Sequence, residues 1–401
     1  MKLQVRGFVL ASLTFAAALA RVAQAQEPPT FQQIVQPYVD QGGFAGANGV
    51  VVTADGIINF PSAGYADVAG KVPMTRDTLF WLASTSKPFQ AAAVMMLVDD
   101  GKIGLDDPVS KYLSHFRPRI ATQSDGKEVL REPAHPITIR MLLNHTHGLS
   151  PNYSPGAPPD DSVPLKAWVD ELLTRPLHHE PGTAFMYSDA GSNVSSRIVE
   201  VVSGKPFEQF LDERLLSPLG MKDTTYFPNS DQLSRLATAY YVPPETKKLT
   251  PIPDALARPR PRAQLSDRAT RHAPMGGLFS TGGDLARFAQ VFLGKGSVSG
   301  RRYLSETAVA EMTRDQIPDA AKATIPQPPF GNDRPVSYGL GWGLGAHGAY
   351  FHPGMAMTNI RIDDTHSFAS IFLPQHGGDE VSLEISLRLV DAAEKHWHLH
   401  H

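Results

Sequence analysis

The sequence predicts a mixed α/β (α+β) fold in which strands from the two ends of the chain share one sheet, while the middle builds a mostly helical lobe. Three observations carry this expectation. β-prone runs lie early, from Gly49 to Gly70, and late, from Tyr338 to Leu373. Helical patterns separated by proline- and glycine-rich connections fill the space between them. One of these helices, Pro88 to Asp100, is apolar without a breaker and follows a Ser-x-x-Lys step at Ser84 and Lys87. Strands and helices in this order pack as a sheet with helices against it, and a cleft between sheet and helical lobe is the natural place for a site.

The chain has 401 residues, 42% of them hydrophobic, with 37 basic and 40 acidic side chains and a formal charge of -3. That is the composition of a globular protein large enough to bury its own core. The absence of cysteine excludes a disulfide scaffold, thiolate metal ligation, an iron–sulfur cluster and a cysteine nucleophile. The near balance of charge argues against a nucleic-acid partner.

Residues 1–25 read as a signal peptide. Lys2 and Arg6 precede an apolar stretch from Gly7 to Ala20, and Ala23-Gln24-Ala25 presents small residues where a signal peptidase reads, which places cleavage before Gln26. The apolar run is shorter than the roughly 20 residues that span a bilayer, so no stable membrane insertion is expected and the protein is expected to be exported, periplasmic or secreted. Without Lys2, Arg6 and Arg21 the balance becomes 34 basic to 40 acidic, or -6.

Each later element has a local reason. GVVVTADGIINF, from Gly49, places Ala54-Asp55-Gly56 between two β-prone runs, a hairpin signal. Pro88 to Asp100 reads PFQAAAVMMLVDD and stops before Gly101, as a buried helix does. Helical patterns follow at Thr138 to Leu143, Leu165 to Leu173, Asn193 to Val202, Pro206 to Leu216 and Leu285 to Leu293. From Tyr338 the chain returns to strands: YGLGWGLG, then MAMTNIRI and HSFASIFL, the last two joined around Asp363-Asp364. The final VSLEISLRLVDAAEKH alternates at first, yet Leu383, Leu387, Val390 and Glu394 fall on one helical stripe, and a helix is expected. One domain is expected over 26–395, with a sheet lobe from about 30–80 and 285–395, a helical lobe from about 85–284, and a His-rich tail at 396–401.

The chemistry begins in FWLASTSKPFQ. Ser84 and Lys87 stand three residues apart at the mouth of the apolar helix, where a hydroxyl and an amine face the same way and unpaired backbone N–H groups are available to a developing negative charge. A serine hydroxyl needs a base within hydrogen-bond reach to act as a nucleophile.

With its context, this segment resembles the active-site motif of the serine β-lactamase and penicillin-binding protein superfamily, most closely the class C-like branch that also holds esterases and D-amino-acid peptidases. LLNHTHGL (Leu142 to Leu149), PGTAFMYSDAGSN (Pro181 to Asn193), APMGGLFSTGGDLARF (Ala273 to Phe288) and YGLGW (Tyr338 to Trp342) follow in the order that the family implies. The resemblance implies a β-lactamase/transpeptidase-like fold, an antiparallel sheet flanked by helices. It also implies catalysis by Ser84, Lys87 and Tyr187 through an acyl-enzyme, with no cofactor and no metal.

The second motif departs from the family pattern. Tyrosine, any residue, asparagine is usual, whereas this chain reads Tyr187-Ser188-Asp189. An asparagine amide donates to a substrate carbonyl, while an ionised aspartate only accepts, so Asp189 weakens recognition of β-lactam-type amides. For the third motif, His352-Pro353-Gly354 matches the family's lysine or histidine, variable residue, glycine, leading directly into MAMTNIRI; His347-Gly348 competes for the register. The resemblance then implies that Gly354 keeps the strand close to substrate and that the backbone N–H groups of Ser84 and Met355 form the oxyanion hole. A mostly neutral His352 favours esters or uncharged amides over penicillin-like acids.

On this reading Lys87 with Tyr187 accepts the Ser84 proton, Tyr187 returns it to the leaving group, and water releases the acyl-enzyme. No Gly-x-Ser-x-Gly elbow is present to support an α/β-hydrolase alternative. His145 and His147 read as loop packing and His178 and His179 as a solvated turn, and Arg258, Arg260, Arg262, Arg268 and Arg271 read as a basic surface loop. The expected partner is a small-molecule ester, amide or β-lactam, and a noncatalytic binding protein on the same fold stays open as the alternative. The oligomeric state is not legible.

Overall fold

The computed structural model describes residues 27–124, 127–150, 163–252, 274–325, 336–345, 348–377 and 380–400. The signal-peptide segment, His347, the five arginines from Arg258 to Arg271 and His401 lie outside these residues.

The two ends of the chain do meet in one sheet. In spatial order the strands are β5 (Ser337–Tyr338), β6 (Gly343–Leu344), β7 (Ala349–Pro353), β8 (Asn359–Asp363), β9 (Phe368–Leu373), β1 (Gly46–Thr53), β3 (Ser62–Asp67) and β4 (Val72–Pro73), with β2 (Gly56–Asn59) paired to β1. Every pairing in this sheet is antiparallel. The joint between the ends is the register Asn48 to Leu373 through Thr53 to Phe368. Ala54-Asp55-Gly56 makes the expected hairpin from β1 to β2.

Helices cover both faces. Helix α1 (Phe31–Asp40) begins with a capping box in which Thr30 and Gln33 satisfy each other's backbone N–H. Together with the C-terminal helix α5 (Glu380–His400) it buries Ile34, Val35 and Ile385 against Phe44, Ala47 and Phe372 of the sheet lobe. Helix α4 (Gly282–Leu293), capped by Thr281, packs Phe288 and Phe292 on the other face, around Trp342 and Tyr350.

Behind α4 stands α2 (Lys87–Asp99). Every residue from Lys87 to Leu97 is buried, so the helix is apolar all round because protein surrounds it on every side. Pro88 in its first turn costs nothing, since that N–H has no intrahelical partner. Helix α3 (Asp189–Ser203) lies beside it, capped by Ser188 at its start and ended by Gly204 in the left-handed conformation (φ 71°).

Three local readings change. The middle carries a β-hairpin, Arg119–Ser124 with Lys127–Arg131, that the sequence did not announce. YGLGWGLG forms strands only at β5 and β6; between them Gly341 turns with φ 78°, and a Cβ there would lie 2.5 Å from that of Ala91. MAMTNIRI is not one strand either: Met355 to Met357 form the turn between β7 and β8, with Met357 at φ 58°, and pairing resumes where Asn359 faces Pro353. The third motif therefore ends a strand and opens a turn.

Candidate active site

Ser84 sits in a short 3-10 turn, Ala83–Ser86, that feeds α2. Ala83, immediately before it, is held at φ 48°, a left-handed conformation that a side chain rarely adopts and that costs of order 1–3 kcal/mol. Its neighbours fix it there. Leu82 N–H donates to Leu278 O (2.9 Å), Ser86 Oγ donates to Ala83 O (2.7 Å), and Leu278 N–H donates back to Ser86 Oγ (3.2 Å). The first donor of the turn is Thr85 N–H, to Leu82 O, so the Ser84 N–H stands ahead of the hydrogen-bonded ladder.

Lys87 Nζ lies 3.1 Å from Ser84 Oγ, 2.7 Å from Asp189 Oδ1 and 3.1 Å from Met275 O. The lysine is 1% exposed. Burial alone would push its pKa down, but the Asp189 carboxylate, together with Tyr187, outweighs that and holds it above the ordinary lysine value. The ring of Tyr187 stands over the ammonium, 4.9 Å from Nζ to its centroid, and is 42% exposed at the surface. Asp189 is the first residue of α3, where a negative side chain complements the positive helix end.

The end of β7 closes on the serine turn. Thr85 Oγ1 lies 3.1 Å from both His352 O and Thr358 O, and 3.2 Å from Thr358 Oγ1; Thr358 Oγ1 in turn donates to Leu82 O (2.9 Å). Gly354 fits between them because it has no side chain: a Cβ would fall 2.3 Å from Leu82 O and 2.3 Å from Thr358 Oγ1. Next to it, the Met355 N–H makes no hydrogen bond among the described residues, in the turn that Gly354 N–H to Thr358 O (2.7 Å) and Met357 N–H to Gly354 O (2.9 Å) define.

His352 is 2% exposed and points inward. Its Nδ1–H donates to Pro353 O (3.0 Å), so Nε2 accepts from Tyr338 O–H (2.9 Å) and the ring is neutral. Burial, with the nearby Lys87 charge, brings its pKa down to about 3. The imidazole packs edge to face against Tyr338, with its ring 6.1 Å from that of Tyr187.

Sequence reasoning missed four contributors. His145, read as loop packing, is indeed buried, but at φ 61° it sets its ring 4.6 Å from that of Tyr187 and accepts from Ser188 N–H (3.3 Å), fixing the loop that carries Tyr187 and Asp189. Tyr338, Thr85 and Thr358 are the others. Only YGLGW hinted at Tyr338, and no local signal marks the two threonines. Among the described residues, no group of three or more histidine or acidic side chains could hold a metal ion. An apolar cavity of about 240 Å³ between α1, α5 and the sheet contains none of the site residues.

With this geometry in view, the beta-lactamase family model matches nearly the whole chain, residues 31–394. The chain belongs to the beta-lactamase family. It is 32% identical to protein Rv1367c of Mycobacterium tuberculosis, covering 87% of this chain and 90% of that one. It is 31% identical to esterase EstB of Burkholderia gladioli, covering 83% and 79%. Among solved structures, EstCE1, a hydrolase with promiscuous acyltransferase activity, superposes with a TM-score of 0.75 at 25% identity, covering 90% of this chain and 97% of that one. The protein is thus an enzyme, a serine hydrolase of the beta-lactamase family.

Proposed function

We propose that the protein hydrolyses small, uncharged carboxylic esters through an acyl-enzyme on Ser84. The observation that carries this is the 3.1 Å approach of Ser84 Oγ to a lysine buried at the mouth of α2. Ser84 Oγ attacks the ester carbonyl, the oxyanion is received by the N–H groups of Ser84 and Met355, and Lys87 with Tyr187 handles the proton. Tyr187 returns it to the leaving alcohol, and water then releases the acid.

The preference for esters has two supports. Asp189 offers no N–H to a substrate carbonyl, and the histidine of the third motif is neutral and buried, so among the described residues the third motif offers no cation to the carboxylate of a penicillin-like acid. Similarity to an esterase points the same way. We further propose, on the pattern of residues 1–25, that the enzyme acts after export.

The test compares a short-chain p-nitrophenyl ester, a chromogenic cephalosporin and a D-alanyl-D-alanine peptide, each beside the Ser84→Ala variant. Ser84-dependent turnover is expected to be fastest on the ester. Faster Ser84-dependent turnover of the cephalosporin or the peptide would overturn the substrate assignment, and no turnover of any would favour a binding role.

A further inference from the structure

We propose that the chain carries a second binding site, for a straight-chain aliphatic alcohol, in the apolar cavity between α1, α5 and the sheet. This site lies on the sheet face opposite α4 and does not rest on the ester chemistry at Ser84.

The sheet makes the floor. Asn359 of β8 pairs with Phe372 of β9, and Phe372 with Gly49 of β1; in the next row Ser370 pairs with Val51, and Val51 with Asn59 of β2. Phe372 packs with Ile34 and Ile385, so its cross-strand partners and the alternate residues of its strand share the face toward α1 and α5. Gly49 has no side chain and Ser370 a short one, which leaves the middle of the floor low. Phe31 takes part of that space, its ring lying 2.5 Å from where a Cβ on Gly49 would stand. What is left is a cavity of about 240 Å³, roofed by Phe31 and Ile34 of α1 and by Leu389 and Ala392 of α5.

Size, shape and polarity together select the occupant. The volume is well above the roughly 150 Å³ of an apolar cavity that stays dry and takes up benzene. The lining runs across β8, β9, β1 and β2, three strand spacings or about 14 Å, which suits an extended chain better than a compact ring. No charged side chain lines the cavity among the described residues, so a carboxylate or an ammonium would enter without a counter-charge. Three neutral polar groups line it instead. Ser370 Oγ from the floor, Ser386 Oγ from α5 and the side-chain amide of Asn359 make no hydrogen bond among the described residues. Serine hydroxyls and amides both donate and accept, and an alcohol O–H answers either. With its hydroxyl toward β8 and β9 and its alkyl chain toward the exposed Ile58 and Pro29, an alcohol meets the polar groups and covers the apolar ones.

Calorimetric titration of the full chain tests this with 1-octanol and its isomer 1-methoxyheptane, which has the same atoms but no O–H. One octanol is expected to bind per chain, about tenfold tighter than the ether, the scale of one hydrogen bond. Octanoate at pH 8 is expected to bind more weakly than octanol. Ser370→Leu and Ala392→Leu each fill the cavity and are expected to abolish the octanol heat, while turnover of a p-nitrophenyl ester, which reports that the variants are folded, is unchanged. The milder double variant Ser370→Ala with Ser386→Ala keeps the room and is expected to lose most of the preference for the alcohol over the ether. Absence of saturable octanol heat on the parent chain would overturn the proposal, as would undiminished heat on the filled variants. So would octanoate binding as tight as octanol, or a preference for the alcohol that the double variant keeps in full.

Discussion

Gly354 lies so near Leu82 that a Cβ on the glycine would stand 2.3 Å from the leucine carbonyl oxygen. That approach brings the turn after β7, with a Met355 N–H that is unpaired among the described residues, against the turn that presents Ser84. Gly354→Ala must push the two apart. It is expected to lower kcat on a p-nitrophenyl ester about 100-fold or more, the scale of losing one oxyanion donor, with a smaller change in KM. Steady-state kinetics at matched protein folding, checked by circular dichroism, measure this; a variant with near-normal kcat would remove the Met355 N–H from the oxyanion hole.

Thr85 and Thr358 tie the same two segments together, yet 273 residues separate them. Thr85→Val keeps the shape but removes the one hydroxyl proton that the buried His352 and Thr358 carbonyls share, at a cost of about 1–3 kcal/mol. Urea unfolding is expected to show that loss in the midpoint with an unchanged slope. No shift would mean that the hydroxyl is idle.

This separation explains what the sequence could show. Ser84 and Lys87 are legible because they stand three residues apart at the mouth of a long, mostly apolar helix, and Ala54-Asp55-Gly56 because turn chemistry is local. The alternating apolar residues of VSLEISLRLV are helical, as the stripe suggested, because α5 lays one side on α1 and the sheet. By contrast Lys127–Arg131, the second strand of the hairpin, is exposed throughout and so carries no core pattern. MAMTNIRI misleads in the opposite sense: Met355 is apolar but 60% exposed on a turn. His145 looked like any loop histidine, because its importance lies in which ring it meets, and that is set by tertiary packing.

Neutral buried histidines are expected to make the protein acid-sensitive. Burial, with His179 nearby for His147 and Lys87 for His352, brings both to about 3, and His145 is likewise held well below 6.5. The unfolded chain takes up protons at these sites below its ordinary histidine value and the folded chain does not, so stability is present above about pH 6.5 and is lost as pH falls toward 3. Each histidine contributes a slope of about 1.4 kcal/mol per pH unit in that window. Urea titrations at pH 7, 6 and 5 are expected to show the decline, and His147→Gln to lessen it by about a third. A pH-independent midpoint over that range would contradict the assignment of neutral rings.

Asp189 also bears on what the cleft accepts. Asp189→Asn introduces an amide that donates, so the ratio of cephalosporin to ester turnover is expected to rise about tenfold, the scale of one hydrogen bond to substrate. Paired kinetics on the two substrates read that ratio. An unchanged ratio would separate Asp189 from substrate recognition and leave it with Lys87 alone.

The account stands on covalent chemistry at Ser84, 3.1 Å from Lys87 Nζ. The most direct measurement is intact-protein mass spectrometry of the enzyme quenched in acid during turnover of an activated p-nitrophenyl ester, with Ser84→Ala treated in the same way. A single acyl adduct that maps to the peptide containing Ser84 and is missing from the variant is the predicted result. An adduct of equal yield on Ser84→Ala, or undiminished turnover by that variant, would contradict it.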